Sequence, residues 1–198
     1  MFQIRQAAEH VYCIEDVFDI RIYQDIKFTL NNIDWKYSQQ TNPDSDAVYE
    51  PGYFATQFYQ YCVKDKTFTY PTSDIFQTIM VPFLDFVQGT SMQARVPIRL
   101  KANLYPRTDK IFQHEKHLDY FNYETREHFP WLNSFPITNM VYMVNDNDGG
   151  TEILDTSEGD IMIPSKQNTA VIFNNQFWHK SSTCTNKKAR ITINFNFL

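Results

Sequence analysis

A mainly β fold with flanking helices, a sandwich or jelly roll, is what this 198-residue sequence predicts, on three observations. From residue 93 onward the pattern turns to a period of two, the mark of strands with one buried face. Short apolar runs there are separated by turn formers, Asn147-Asp148-Gly149-Gly150, Ser157-Glu158-Gly159 and Lys166-Gln167-Asn168, which favour many short strands over a parallel sheet. Aromatics make up 16% of the chain, with 17 Phe and 12 Tyr, and such side chains fit a pleated, half-buried surface.

The first strand of that region alternates clearly: Val96, Ile98, Leu100, Ala102 and Leu104 against Arg95, Pro97, Arg99, Lys101 and Asn103. Further strands are expected over 137–145, 150–154, 160–163, 169–173 and 190–197. The first third is mixed. Residues 11–14 read as a strand, and 16–30 as a helix with Val17, Phe18, Ile22, Ile26 and Leu30 at mostly helical spacing and Asp16 as its cap. Residues 39–46 are a polar loop, 54–62 an outer strand, and 73–87 a helix with Ile75, Ile79, Phe83 and Val87 spaced by four. Pro82 should bend or divide it. A mainly helical front before a strand-rich remainder implies helices bracing one face of a β core. We therefore expect a single domain over 1–198, with 1–92 as a helix-containing support and 93–198 as the core that carries the site.

Net charge is −5, with Lys and Arg scattered, so nucleic acid is not favoured as a partner, because binding it needs a basic stripe to neutralise phosphates. Three cysteines, Cys13, Cys62 and Cys184, lie far apart and form neither a disulfide framework nor a CxxC zinc site. A reducing, cytoplasmic location is the simplest expectation. Residues 1–10 do not read as a signal peptide, and no apolar run approaches the ~18 residues of a membrane span.

The chemistry concentrates in His117-Leu118-Asp119, His179 and Arg190. Residues two apart on an extended segment emerge on one face, so His117 and Asp119 can reach one ion. Two imidazoles and one carboxylate, with open coordination positions, are the facial triad typical of non-haem Fe(II) oxygenases. The planar fork of Arg190 suits a carboxylate. Each histidine alone has a plainer reading as a surface or core residue; order and spacing raise these two. His114, three before His117, reads as a surface group or one behind the ligands, and His10 and His128 as solvent-facing. On the last strand Arg190, Thr192, Asn194 and Asn196 share one face and Ile191, Ile193, Phe195 and Phe197 the other. The polar face is either solvated or turned into a barrel mouth, where Arg190 and Thr192 would bind an acid.

Together, His117-x-Asp119, Asn145-Asp146 with Gly149-Gly150-Thr151-Glu152, His179-x-Ser181 and Arg190-x-Thr192 resemble the 2-oxoglutarate and Fe(II)-dependent oxygenases, nearest the prolyl-4-hydroxylase-like branch. The match covers roughly residues 96–197. In size the chain also resembles short oxygenase-like proteins of bacterial viruses, for which the location would be the host cytoplasm. The resemblance implies a double-stranded β-helix (jelly roll) core, Fe(II) on His117, Asp119 and His179, and 2-oxoglutarate with its far carboxylate on Arg190. Such enzymes consume O2, release succinate and CO2 and hydroxylate an unactivated C–H bond. A hydroxyl often assists the arginine, and Thr192 or Tyr105 is the candidate, Tyr105-Pro106 matching a Tyr-Pro before the HxD loop. Tyr142 is a further cosubstrate contact or a packing residue. Two departures are Met143-Val144-Asn145 where the branch has Tyr-Leu-Asn, and the 11-residue step from His179 to Arg190. The branch points to a peptide or protein substrate, a peptidyl proline first. Alternatives are oxidation of a nucleobase, with Phe177 and Trp178 stacking on it, or of a small molecule. A non-catalytic metal-binding jelly roll and a cupin-like Zn or Mn protein are the others.

Overall fold

The computed structural model describes residues 3–39, 51–62, 67–89, 96–119, 121–122, 127–128 and 137–198. Its strands, in chain order, are β1 (Gln3–Ala8), β2 (Val11–Glu15), β3 (Lys36–Ser38), β4 (Tyr53–Cys62), β5 (Thr67–Thr69), β6 (Pro97–Pro106), β7 (Phe121–Asn122), β8 (Glu127–His128), β9 (Thr138–Met143), β10 (Gly150–Thr156), β11 (Gly159–Pro164), β12 (Thr169–Asn174), β13 (His179–Ser181) and β14 (Ala189–Phe197). Nine form one sheet in the order β1-β2-β12-β9-β14-β6-β4-β3, with β5 on β4; β11-β10-β13 form a second, and β7 pairs β8. The pairings within these sheets are antiparallel. The result is mostly β, and its sheet-rich core is the expected jelly roll.

Alternation along the central strands sends side chains to two interiors. On one face Leu100 and Ala102 of β6, Met140 and Tyr142 of β9, Ile172 of β12, and Ile193, Phe195 and Phe197 of β14 pack under helices. Phe83 is the centre of that layer, edge-on to Phe18 (5.1 Å), Tyr142 (5.4 Å) and Phe195 (5.9 Å), arrangements that aromatic quadrupoles favour. On the other face Val141, Met143, Val171 and Phe173 meet Ile153 and Ile163 of the small sheet. Near this second core the polar positions of β6 and β14 are buried as well, including Asn103, Arg190, Thr192 and Asn196.

The helical front differs from expectation in three ways. Helix α1 (Ile20–Asn31) is capped by Asp19, whose Oδ1 accepts from the amides of Arg21 (2.9 Å) and Ile22 (3.0 Å). Asp16 has a φ of +53°, so the chain turns there and cannot yet be helical. Val17 and Phe18 are tied to Asn168 before the helix begins, Phe18 N–H donating to Asn168 Oδ1 (3.1 Å) and Asn168 Nδ2 to Phe18 O (2.8 Å). The predicted second helix is divided into α2 (Ser73–Ile75), a π-helical turn (Phe76–Met80) and α3 (Val81–Gln88). Pro82 lies in the first turn of α3, where its missing N–H costs least, and the wide turn before it accommodates the ring. Finally, the outer strand β4 is partly covered, by β3 along Tyr53–Ala55 and by β5 along Gln60–Cys62, and the front adds β1, β3 and β5 to the large sheet beside the two expected strands. Of the predicted loop 39–46, residues 40–46 lie outside the described residues. No helix among the described residues is long and apolar enough to cross a membrane.

Replacing Phe83 by Ala empties the centre of the helix-covered layer and is expected to destabilise the fold by about 3–5 kcal/mol. Guanidinium denaturation should show a lowered midpoint with an unchanged slope.

Candidate metal centre

The segment after β6 runs beside β13 and delivers the HxD pair. Thr183 N–H donates to Phe112 O (2.9 Å) and His114 N–H to Ser181 O (2.8 Å). His117 and His179 then exchange both backbone bonds, at 2.9 and 3.1 Å, and their rings stand 4.3 Å apart. His179 opens β13 rather than ending a strand. Asp119 follows on the same face, and the ligand atoms of His117, Asp119 and His179 all lie within 4.8 Å of one another.

A set of buried polar side chains fixes the carboxylate. Arg99 Nη2 lies 2.8 Å from Asp119 Oδ1 and Asn196 Nδ2 donates to Oδ2 (2.9 Å). Arg99 Nε donates to Asn196 Oδ1 (2.8 Å), and Asn196 Nδ2 also reaches Asn139 Oδ1 (2.6 Å). Asn139 donates to Asn175 Oδ1 (3.0 Å), which closes the circuit by donating to the backbone carbonyl of Asp119 (2.7 Å). Sequence reasoning missed Arg99, Asn139 and Asn175 as site residues. The available signal was that Arg99 and Asn196 occupy the polar positions of strongly alternating strands.

The electrostatics fit a divalent cation. Burial would raise the Asp119 carboxyl, but Arg99 and the two imidazoles outweigh it and hold it well below the usual carboxylate range. Burial, then the neighbouring His179, lowers His117 to about 4, with Asp119 opposing. Burial likewise lowers His179. Both imidazoles are therefore neutral at pH 7, the form that ligates metal. Each Nδ1 lies 3.4 Å from a carbonyl, of Glu115 and Phe177 respectively, which leaves the Nε2 lone pairs for an ion. His179 Nε2 is buried without a hydrogen-bond partner, a cost of about 1–3 kcal/mol that a metal would remove.

Arg190 is fully buried, and its bonds go to neutral oxygens: Nε to Ser165 Oγ (2.6 Å), Nη2 to Thr151 Oγ1 (2.7 Å) and Nη1 to Ser182 O (3.4 Å). Its guanidinium carbon lies 5.3 Å from the Tyr105 ring centroid. Burial pulls Arg190 down to about 10, so it stays charged. Gly149 makes room for it, since a Cβ there would sit 3.0 Å from Arg190 Cδ and 2.4 Å from Thr183 O. A cavity of about 70 Å³ reaches the triad, Tyr105, Thr151 and Ser181.

The sequence-predicted residues thus divide. His117, Asp119 and His179 converge, Tyr105 lines the same cavity, and Arg190 stands directly behind Tyr105 and Thr151. Thr192 is on the inward face, but its hydroxyl meets Asn194 (3.5 Å); the hydroxyls on Arg190 are those of Ser165 and Thr151. Tyr142 is corrected: it lies on the opposite face of the sheet, beneath the helices, and donates to Asn168 Oδ1 (3.0 Å). An odd-numbered β9 position, such as Val141 or Met143, is what faces the interior there. His114 is buried rather than on the surface, 5.0 Å from the Tyr105 ring. His10 is exposed, and the side chain of His128 lies outside the described residues.

A jelly roll holding two histidines and one carboxylate beside a buried arginine defines a class, the mononuclear non-haem iron enzymes. The chain belongs to the 2OG-Fe(II) oxygenase superfamily, whose profile matches residues 100–198. It is therefore an oxidoreductase of the dioxygenase type that works with Fe(II) and 2-oxoglutarate. No curated protein sequence matches it. Among solved structures, a 2OG-Fe(II) oxygenase family oxidoreductase from Burkholderia pseudomallei aligns with 99% of this chain and 84% of its own, at 10% identity and a TM-score of 0.65. A Pseudomonas putida prolyl-4-hydroxylase aligns over 95% and 91% at 11% identity, TM-score 0.61. A Trichoplax adhaerens prolyl hydroxylase, solved with a peptide fragment of the hypoxia inducible factor oxygen degradation domain, aligns over 96% and 83% at 8% identity, TM-score 0.61. Likeness at such identity speaks to the fold.

Without metal, the unfolded chain protonates these imidazoles near pH 6.5, whereas folded His117 resists to about 4. Its contribution is full above pH 6.5 and is lost as pH falls through that window, up to about 3 kcal/mol. Urea titrations of metal-free protein from pH 7 to 4 should show this loss, reduced in His117→Gln.

Proposed function

We propose that this chain hydroxylates an unactivated C–H bond of a peptide residue, peptidyl proline first, with release of succinate and CO2. The observation that carries the proposal is a cluster of metal-ready donors next to a buried cation that no carboxylate neutralises among the described residues. Pairing of Ile153 with His179 and of Thr151 with Ser181 separates the triad from the Arg190 end by two strand residues, roughly 7 Å. That span suits a five-carbon diacid lying between metal and guanidinium.

In this reading His117, Asp119 and His179 hold Fe(II), and the Asp119 circuit of Arg99, Asn196, Asn139 and Asn175 keeps the carboxylate ionised and aimed. Bound Fe(II), with 2-oxoglutarate and O2, supplies the oxidising chemistry. Arg190 holds the far carboxylate of the cosubstrate, assisted by Thr151 and Ser165. Burial above all raises the Tyr105 phenol to about 12, despite the opposing charge of Arg190, so Tyr105 is a hydrogen-bond donor at neutral pH. The narrow cavity limits water around the bound diacid. A peptide substrate is supported by the likeness to prolyl hydroxylases, one of them solved with a peptide. The nucleobase alternative is less favoured, because Phe177 is partly buried against the second core and Lys116 Nζ already lies over the Trp178 ring, 5.5 Å from its centroid.

Anaerobic addition of 2-oxoglutarate to the Fe(II)-loaded protein should produce the weak visible charge-transfer band of the chelate. Absence of the band, with zinc retained in place of iron, would overturn the reading. Asp119→Ala should lower succinate formation at least ~100-fold. Arg190→Met should raise the KM for 2-oxoglutarate by about tenfold or more, with a smaller effect on kcat.

A further inference from the structure

The inward face of β6 presents Arg99, Lys101, Asn103 and Tyr105 in succession, opposite Asn196, Asn194, Thr192 and Arg190 of β14. Arg99 is committed to Asp119. Lys101 is not committed to any acid among the described residues. It is half-buried and lines the cavity that holds the triad. Its Nζ donates to the hydroxyl of Tyr53 (3.1 Å) and lies 5.1 Å from the centroid of the same ring. No carboxylate pairs with it among the described residues, whereas partly buried Lys180 has Glu152 at 2.8 Å and exposed Lys166 has Glu15 at 2.6 Å. Tyr53 stacks on Tyr105 at 5.4 Å and 22°, and Tyr105 faces Arg190. Two cations without a carboxylate partner among the described residues thus bracket a pair of tyrosines that line the cavity.

Charge balance gives this arrangement a direction. Among the described residues the one carboxylate lining the cavity, Asp119, is paired with Arg99, while Lys101 lines it without an acid and Arg190 stands behind Tyr105. A divalent metal and a doubly charged cosubstrate cancel each other, so binding both leaves unchanged the positive excess that Lys101 and Arg190 give the described residues. Buried or half-buried cations without a counter-ion are costly, and a second anion would relieve that cost.

Building on the function proposed above, we infer that Lys101 is a second carboxylate-binding group of this pocket. It takes a carboxylate carried by the molecule being oxidised, with Arg190 holding the cosubstrate. The substrate is then an acid, such as a peptide with an acidic side chain next to the oxidised residue. The Tyr53 hydroxyl and ring hold the ammonium in place for it.

Calorimetric titration of the full chain loaded with Ni(II) tests this without turnover. The probes are 2-oxoglutarate, then an acetylated and amidated tripeptide EPE and its uncharged twin QPQ. Wild type should bind EPE at least ~10-fold more tightly than QPQ, the scale of one charge-assisted bond. Lys101→Met should erase that preference while keeping 2-oxoglutarate affinity within about threefold; Lys101→Arg should retain both. Equal binding of the two peptides by wild type, or an undiminished preference in Lys101→Met, overturns the inference. So does a loss of 2-oxoglutarate affinity in Lys101→Met as large as in Arg190→Met, which would give Lys101 to the cosubstrate. If wild type fails to bind 2-oxoglutarate, the cosubstrate reading falls instead, and the EPE to QPQ ratio still reports on Lys101.

Discussion

Antiparallel pairing of β14 with β6 on one side and β9 on the other gives every residue of that strand an interior to face. Ile193 and Phe195 go to the helices, while Arg190 and Asn196 go to the site. A slip of one residue would exchange the two sets, placing a guanidinium against Phe83 and a phenyl ring against the metal ligands. Asn145 helps to prevent this. Its Oδ1 accepts from Ile191 N–H (2.9 Å) and its Nδ2 donates to Ala189 O (2.9 Å), so one side chain clamps the β14 backbone on both sides of Arg190. Gly149 then leaves the space through which the Arg190 stem passes.

The two interiors carry opposite energetic signs. The helix-covered layer buries aliphatic and aromatic area and stabilises the fold. The inner face instead buries Arg190, Asp119 and several amides, which cost free energy unless fully bonded. The Asp119 circuit meets that condition, and among the half-satisfied groups are three that an incoming ion or acid would complete: His179 Nε2, Arg190 and Lys101. Concentrating unmet polar demand in one cavity is how a fold prepares a site before any ligand arrives.

Much of this was legible from local pattern. Alternation in β6 and β14 assigned Leu100, Ala102, Ile193 and Phe195 to one face and their neighbours to the other. The HxD motif and the order of His179 and Arg190 after it named the residues that converge. Errors arose where a local signal had a close rival. Asp16 and Asp19 are both able to cap a helix, and only the left-handed backbone at Asp16 decides between them. Tyr142 and Met143 are adjacent, and a one-residue ambiguity in strand phase moves a phenol from the cavity to the helix layer. The polar stripe of β14 looked compatible with water because an alternating strand reads the same whether its polar face meets solvent or a buried site.

By itself the sequence determined the strand periodicities, the order of the motif and the donor types, because these depend on neighbours two to four residues apart. Only the tertiary structure decided which face of each strand turns inward and who meets whom across the barrel. Asp119 finds Asn196 across 77 residues, and Arg190 finds Thr151 across 39 and Ser165 across 25. Periodicity encodes that a strand has two sides; sheet pairing and closure determine what each side touches.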